Sequence, residues 1–161
     1  MTKKYFKSNY DQKTIDSFGQ EWQKFDQNTL SNIEINELFD KYFDIFPWAN
    51  IDQNSVGFDM GSGSGRWAKV VAPKVGHLHC IDPAIEAIIV SKKVLSQNSN
   101  ITFLNESIDS VSIKKNSQDF GYSLGVLHHI PDTQRALDVC VSLLKPNAPF
   151  LLYLYYNFDN R

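Results

Sequence analysis

The run GFDMGSGSGRW, residues 57–67, sets an acid, Asp59, two residues ahead of three closely spaced glycines, Gly61, Gly63 and Gly65, with Ser62 and Ser64 between them. Glycine lets a backbone turn sharply and come close to a ligand. A helix-like run follows, and a helix start offers unpaired N–H groups. Two phosphate-binding patterns compete for such a loop. A P-loop requires Lys and then Ser or Thr after its last glycine, whereas Gly65 is followed by Arg66 and Trp67. The dinucleotide fingerprint wants glycines at relative positions one, three and six. Gly61 and Gly63 fit, but the sixth place is Arg66 and the third glycine arrives one residue early. Asp59 would also repel a pyrophosphate, and suits a ligand end that carries positive charge.

A second acid, Asp82, closes the strand-like run HLHCID, residues 77–82. In a doubly wound sheet this is the carboxyl edge beside the glycine loop, where ligands bind. A carboxylate there can accept two hydrogen bonds from a ribose diol. It can equally cap the next helix through the run DPA, and the two roles are compatible. Taken together, Asp59, the glycines and Asp82 describe a ligand with a cationic end and a ribose but no diphosphate. S-adenosylmethionine is such a molecule. His128 and His129 follow the fourth strand-like run and are the candidate catalytic bases, because an unperturbed histidine titrates near pH 6.5. The alternative is that they orient their loop through hydrogen bonds. His77 and His79 would share one strand face, yet two imidazoles without a third ligand do not make a metal site, so no metal is expected. Arg66 and Trp67 read as helix packing and a surface contact.

These residues need elements to position them. Strand-like runs cover residues 55–60, 77–82, 101–105, 118–124 and 149–156, the last apolar enough to suggest burial on both faces. Helical runs alternate with them at 66–72, ended by Pro73, at 83–97, with Pro83 at the first helical position, and at 132–144, capped by Asp132. Strand–helix alternation predicts a parallel α/β sheet with right-handed crossovers. Upstream, Ile15, Phe18, Trp22 and Phe25 recur at helical spacing. Ser31 and Glu34 match a capping box, ahead of an apolar stripe through Leu38, Phe39, Tyr42, Phe43 and Phe46 that Pro47 stops. Residues 1–50 thus form an N-terminal helical extension, and residues 50–54 a linker.

Composition sets outer bounds. The 161 residues suffice for one domain, with 42% apolar and 21% charged residues and a formal net charge of −2. No basic field invites nucleic acid; Lys3, Lys4 and Lys7 are too few to form an arm. No apolar run reaches membrane-spanning length, and the N-terminus lacks a signal-peptide core. Cys80 and Cys140 lie in apolar segments and read as reduced core residues in a cytoplasmic protein.

The run VGFDMGSGSGRW resembles motif I of the class I S-adenosylmethionine-dependent methyltransferases, written D-x-G-x-G-x-G. CIDPA resembles their second acidic motif, FGYSLGVLHHIPD their fourth-strand segment, and LLKPNAPFLLYLY the segment entering strand five. The resemblance spans about residues 50–156, with four segments in the right order. It implies a Rossmann-like parallel sheet of strand order 3-2-1-4-5 over residues 51–161. It also implies S-adenosylmethionine as cofactor and methyl transfer to a small-molecule acceptor. By the same resemblance Gly61, Ser62, Gly63 and Gly65 line the methionine and ribose part, Asp59 sits near the amino group, and Asp82 with Pro83 meets the ribose. Glu106 and the backbone of Ser107 or Ile108 meet adenine, and Leu124, after Tyr122 and Ser123, lies at the methionine end. The N-terminal helices are expected to cover the cofactor or shape the acceptor pocket.

The family sheet usually has two further strands beside strand five, and this sequence ends just beyond it. That leaves the expectation of a fragment, or of a second copy or another protein covering an exposed edge. Two other readings stand beside methyl transfer: a cofactor-binding protein without turnover, and a nicotinamide dehydrogenase.

Overall fold

The computed structural model describes residues 8–24 and 31–155. The side chain of Trp22, together with Phe25, the lysines at 3, 4 and 7, and the chain from residue 156, lie outside the described residues. Two helices precede the sheet, α1 (Gln12–Lys24) and α2 (Asn32–Phe43). The start of α2 is the predicted capping box. Ser31 Oγ accepts from the Glu34 N–H, and the Glu34 carboxylate accepts from the Ser31 N–H at 2.8 Å. The helix ends at Phe43, ahead of the predicted stop at Pro47; Trp48–Asn50 is a single 3-10 turn that leads into residues 50–54, which read as a linker.

Five strands follow, β1 (Val56–Met60), β2 (His77–Ile81), β3 (Ile101–Leu104), β4 (Phe120–Leu124) and β5 (Phe150–Tyr153). Every pairing is parallel and the order is β3-β2-β1-β4-β5, as the resemblance implies. The helices between them are α3 (Ala68–Val71), α4 (Ile85–Val94) and α5 (Thr133–Leu143). Side chains alternate across the sheet. On one face Leu78, Cys80, Phe120 and Tyr122 pack with Phe39, Phe43 and Phe46. On the other, Phe58, Met60 and Ile81 meet Ala136, Cys140 and Leu143 of α5. The two cysteines are free and buried on opposite faces.

The β1–β4 seam shows why two strand glycines are needed. Gly57 pairs with Phe120 and Phe58 with Gly121. A Cβ on Gly57 would fall 2.3 Å from the Phe120 ring, and one on Gly121 2.4 Å from the Phe58 ring. Each glycine makes room for the aromatic ring of its neighbour.

Three local expectations need correction. The helix read over residues 66–72 shrinks to Ala68–Val71, because the glycine loop holds residues 61–67 in turns and Pro73 sits in a 3-10 turn. Pro83 does not open α4; it precedes the N-cap residue Ala84, in the turn that Asp82 holds. β5 is not buried on both faces. Leu151 is buried, but Tyr153, Leu154 and Tyr155 are 39%, 40% and 56% exposed, because among the described residues β5 pairs only with β4 and forms the sheet edge. No helix of the described residues is long and apolar enough to cross a membrane.

Candidate functional site

All strands are parallel, so the loops after β1, β2, β3 and β4 emerge at one sheet edge, and there they line a single cleft. The loop after β1 is stitched down by its own backbone. The N–H groups of Gly61 and Ser62 both donate to the Ile81 carbonyl at the end of β2, at 2.8 and 3.0 Å. Gly61 (φ +80°) and Gly65 (φ +83°) take left-handed backbone. A Cβ would stand 2.5 Å from Val126 at the first and 2.7 Å from Leu95 at the second. A side chain at either position is therefore opposed by both backbone and packing.

Asp82 is the hinge pin of the site. It is 8% exposed and lines the cleft. Its Oδ2 accepts from the Gly63 N–H and its Oδ1 from the Ala84 N–H, each at 2.9 Å. One carboxylate thereby fixes the glycine loop and the entry to α4. Burial raises its pKa, and the two N–H donors pull it back down. Each oxygen keeps a lone pair for a ligand donor. The ribose role therefore remains open to this residue, whereas the expected helix cap is not formed: the N-cap of α4 is Ala84, without a side-chain cap bond, and Asp82 holds the turn that precedes it.

Asp59 lies one layer deeper and does not line the cleft. It is 2% exposed, and on adjacent strands it faces Cys80 and Tyr122 in register. Its Oδ2 has no hydrogen-bond partner, nor does the Tyr122 hydroxyl, so the two groups are neighbours without a formed bond. Burial pushes the Asp59 carboxyl up to about 8, with the proximity of Tyr122 opposing and that of Asp82 adding to the rise. A buried acid with an unsatisfied oxygen, two residues before a glycine loop, suits a neighbouring cation.

The remaining expected residues divide. Gly61, Ser62, Gly63, Pro83, Glu106, Ser107, Ile108 and Leu124 line the cleft, whereas Gly65 does not. The Ser62 hydroxyl is buried without a partner. Glu106 turns its carboxylate back to the Ser112 N–H at 2.8 Å. The Ser107 N–H is taken by Ser110 Oγ at 3.1 Å, so of the two backbone donors considered for adenine, Ile108 is the one left to serve. Tyr122 faces the core, and Ser123 donates to the Met60 carbonyl at 2.8 Å, tying β4 to β1.

The histidines do not orient their loop by hydrogen bonds. Both ring nitrogens of His128 are buried without a partner, and the ring sits between His129 and Tyr155, at centroid distances of 4.0 and 5.0 Å. Burial first, and then His129, lower its pKa. His129 lines the cleft and meets Phe18 edge-on at 4.9 Å. His77 is bonded to Thr102 at 2.9 Å, and among the described residues no group of three metal-ligating side chains occurs.

Sequence reasoning did not single out Asn9 or the residues just after it. Asn9 is 2% exposed; its side chain donates to the Asp132 carbonyl at 2.9 Å and accepts from the Asp132 N–H at 2.8 Å. Its own N–H reaches Asp109, which also pairs with Arg135 at 2.7 Å. Tied there, the segment carries Tyr10, Thr14, Ile15 and Phe18 onto the cleft. Arg66 and Trp67, read as packing, also line it.

Known proteins share this fold. A family model described as a methyltransferase domain matches residues 58–152. Human arsenite methyltransferase is 34% identical over 101 residues, which cover 54% of this chain and 27% of that protein. Phosphoethanolamine N-methyltransferase 2 of Caenorhabditis elegans is 28% identical over 100 residues, 60% of this chain and 23% of that one. The chain thus spans about a quarter of the length of these two curated relatives. Among solved structures, a SAM-dependent methyltransferase from Aquifex aeolicus superposes with a TM-score of 0.66 at 17% identity, covering 89% of this chain and 77% of that one. The family match spans more than half of the residues and the sheet order agrees. The chain belongs to the class I S-adenosylmethionine-dependent methyltransferases.

Proposed function

We propose that this chain binds S-adenosylmethionine in the cleft and transfers its methyl group to a small-molecule acceptor, with residues 51–161 as the cofactor-binding domain and residues 1–50 as a covering extension. The observation that carries the reading is Asp82, held by two backbone N–H groups between the glycine loop and the loop after β3, with lone pairs left for a diol. The unsatisfied buried oxygens of Asp59 and Ser62 fit the same group, since the cofactor has a cationic amino group and a carboxylate.

The residues divide the cofactor along the sheet edge. Ile108 N–H, with Glu106 and Ser107 beside it, is assigned to adenine; Asp82 and Pro83 to the ribose; Gly61, Ser62, Gly63 and Leu124 to the methionine chain. Asp59 acts on the amino group from behind the loop, and Gly65 shapes the turn. Bound S-adenosylmethionine supplies a sulfonium methyl group already activated towards a nucleophile. What the chain contributes is orientation, together with exclusion of water by the segment that Asn9 pins. His129, at the cleft wall, is the candidate to take a proton from an acceptor that must lose one; His128 supports its ring by packing. The acceptor is a small molecule, in keeping with a net charge of −2 that gives no attraction for nucleic acid. The open edge of β5 is where a further strand or a second copy would pair. Free, buried Cys80 and Cys140 accord with a cytoplasmic setting.

The test is calorimetric titration with S-adenosylhomocysteine and with NAD, followed by incubation with labelled S-adenosylmethionine and a panel of amines, phenols, thiols and acids. Binding of S-adenosylhomocysteine but not NAD is expected, and the reverse rejects the proposal. Label transfer separates an enzyme from a protein that only binds the cofactor.

A further inference from the structure

One charged side chain of the cleft has no counterpart. Arg66 lines the cavity and its guanidinium stacks over the Trp67 ring, 5.2 Å from the centroid. Its Nε is buried with no hydrogen-bond partner, and no carboxylate of the described residues lies within ion-pair distance of it. The phenols of Tyr42 and Tyr155 act on it electrostatically. A guanidinium stays charged even when half-buried, and desolvating a charge without a partner is costly. Stacking on Trp67 recovers part of that cost but leaves the in-plane donors unused. The fork of donors matches a carboxylate or phosphate.

Its place along the sheet edge narrows the ligand. The loop after β3 lies at one end of the cleft, then Asp82 after β2, then the glycine loop after β1. Arg66 lies on the side of β4 and β5. Tyr155, one of the two phenols, closes on Gly125 after β4, where a Cβ would stand 3.3 Å from the ring. Tyr42 of α2 meets both Trp67 and Tyr153, at centroid distances of 5.0 and 5.1 Å, so an aromatic wall backs the arginine. This is the end furthest from the loop assigned to adenine, where an acceptor has to enter.

We propose that Arg66, backed by Tyr42, Trp67 and Tyr155, is an anion-recognition site that takes a carboxylate or phosphate group carried by the methyl acceptor. The assignment rests on the methyl-transfer reading above. The same chemistry has a second source at this end of the cleft, the cofactor's own carboxylate, and the experiment has to tell the two apart.

The full chain and its Arg66→Met and Arg66→Lys variants are titrated calorimetrically with S-adenosylhomocysteine. They are also titrated with 5′-methylthioadenosine, which lacks the amino-acid carboxylate. Inorganic phosphate and malonate are then titrated into each S-adenosylhomocysteine complex. Expected are near-equal S-adenosylhomocysteine affinities in all three proteins and saturable anion binding by the wild-type complex. Arg66→Met should weaken the anion by about tenfold or more, as losing charge-assisted hydrogen bonds requires, with Arg66→Lys in between because it keeps charge without the fork. Equal melting temperatures show that the variants fold. The proposal is overturned if the wild-type complex shows no saturable anion binding, or if Arg66→Met binds the anion as wild type does. It is also overturned if Arg66→Met weakens S-adenosylhomocysteine about tenfold and spares 5′-methylthioadenosine, since the anion is then the cofactor's. Failure of S-adenosylhomocysteine to bind the wild type removes the methyl-transfer reading, and this site with it; binding without an anion effect removes this site alone.

Discussion

Replacing Asp82 by Ala or Asn separates the two roles this carboxylate can hold. In the folded chain it accepts from Gly63 and Ala84 at 2.9 Å each, and it is 8% exposed. Asp82→Ala leaves two N–H groups without their acceptor, at about 1–3 kcal/mol for each one that stays dry. Water in the cleft can reach the Gly63 side, and removing a buried carboxylate recovers some desolvation, so a net loss of about 2 kcal/mol is expected. Asp82→Asn keeps one acceptor oxygen but points an NH2 group at the other donor, and should lose about half as much. If the carboxylate also accepts from a ribose, both variants forfeit charged hydrogen bonds worth about 1.5–3 kcal/mol, so that S-adenosylhomocysteine binds about 10- to 150-fold more weakly. Urea denaturation measures the first quantity and calorimetry the second. Adenosine and its 2′- and 3′-deoxy forms supply the control: the wild type should distinguish them and Asp82→Asn should not. A stability loss with unchanged S-adenosylhomocysteine affinity would show that Asp82 only holds the turn before α4 and pins the loop, and the cofactor reading would lose its main support.

Other perturbations test other parts of the structure. Because burial raises the Asp59 carboxyl to about 8 in the folded chain, against about 4 when unfolded, the native state holds a proton that the unfolded state has released. That contribution to stability is full below about pH 4 and is lost progressively as pH rises towards about 8. Urea unfolding at pH 5, 6.5 and 8 should show wild-type stability falling relative to Asp59→Asn across this window, and parallel curves would refute it. Gly121→Ala drives a Cβ to 2.4 Å from the Phe58 ring and should cost about 1–3 kcal/mol by overpacking, read by denaturant midpoint. Asn9→Ala removes both side-chain bonds to Asp132. It should speed hydrogen exchange in α1 and weaken S-adenosylhomocysteine, with little change at β1 and β4; unchanged exchange would deny the segment its anchoring role.

The caps of two helices were legible in the sequence because their signals are local, whereas the order of the sheet came from the family resemblance of four segments. The box of Ser31 and Glu34 closes over three residues, and the cap of Asp132 on the Arg135 N–H spans the same distance. The motif I glycines were legible because their left-handed backbone tolerates few other residues. The extent of α3 was not, since apolar spacing over residues 66–72 says nothing about turns that the loop imposes from upstream. β5 was misjudged because composition reports apolarity but not the number of neighbours: among the described residues β4 alone lies beside it, and Tyr153 and Tyr155 stay partly in water.

The site shows the same division more sharply. Asn9 carries no local pattern, and its partners stand 100 and 123 residues away, so only the fold makes it a clamp. Arg66 misled for the opposite reason. An arginine beside a tryptophan at the start of a helical run is ordinary surface chemistry, and its meaning lies in what does not surround it. Sequence can count Asp and Glu but cannot show that none of them among the described residues reaches this guanidinium. A half-buried cation in a cleft, with no ion-pair partner among the described residues, is a cost that the stack on Trp67 only partly offsets. Asp59 is its counterpart, an acid whose carboxyl burial pushes towards the neutral form. One group on the cleft wall and one beneath its floor thus have opposite unmet electrostatic demands, and the ammonium of a bound cofactor and the anionic group of an acceptor beside it answer them separately. If Asp59→Asn and Arg66→Met changed ligand binding identically, the two demands would belong to one part of the ligand. Distinct effects, cofactor for the first and acceptor for the second, are what this arrangement requires.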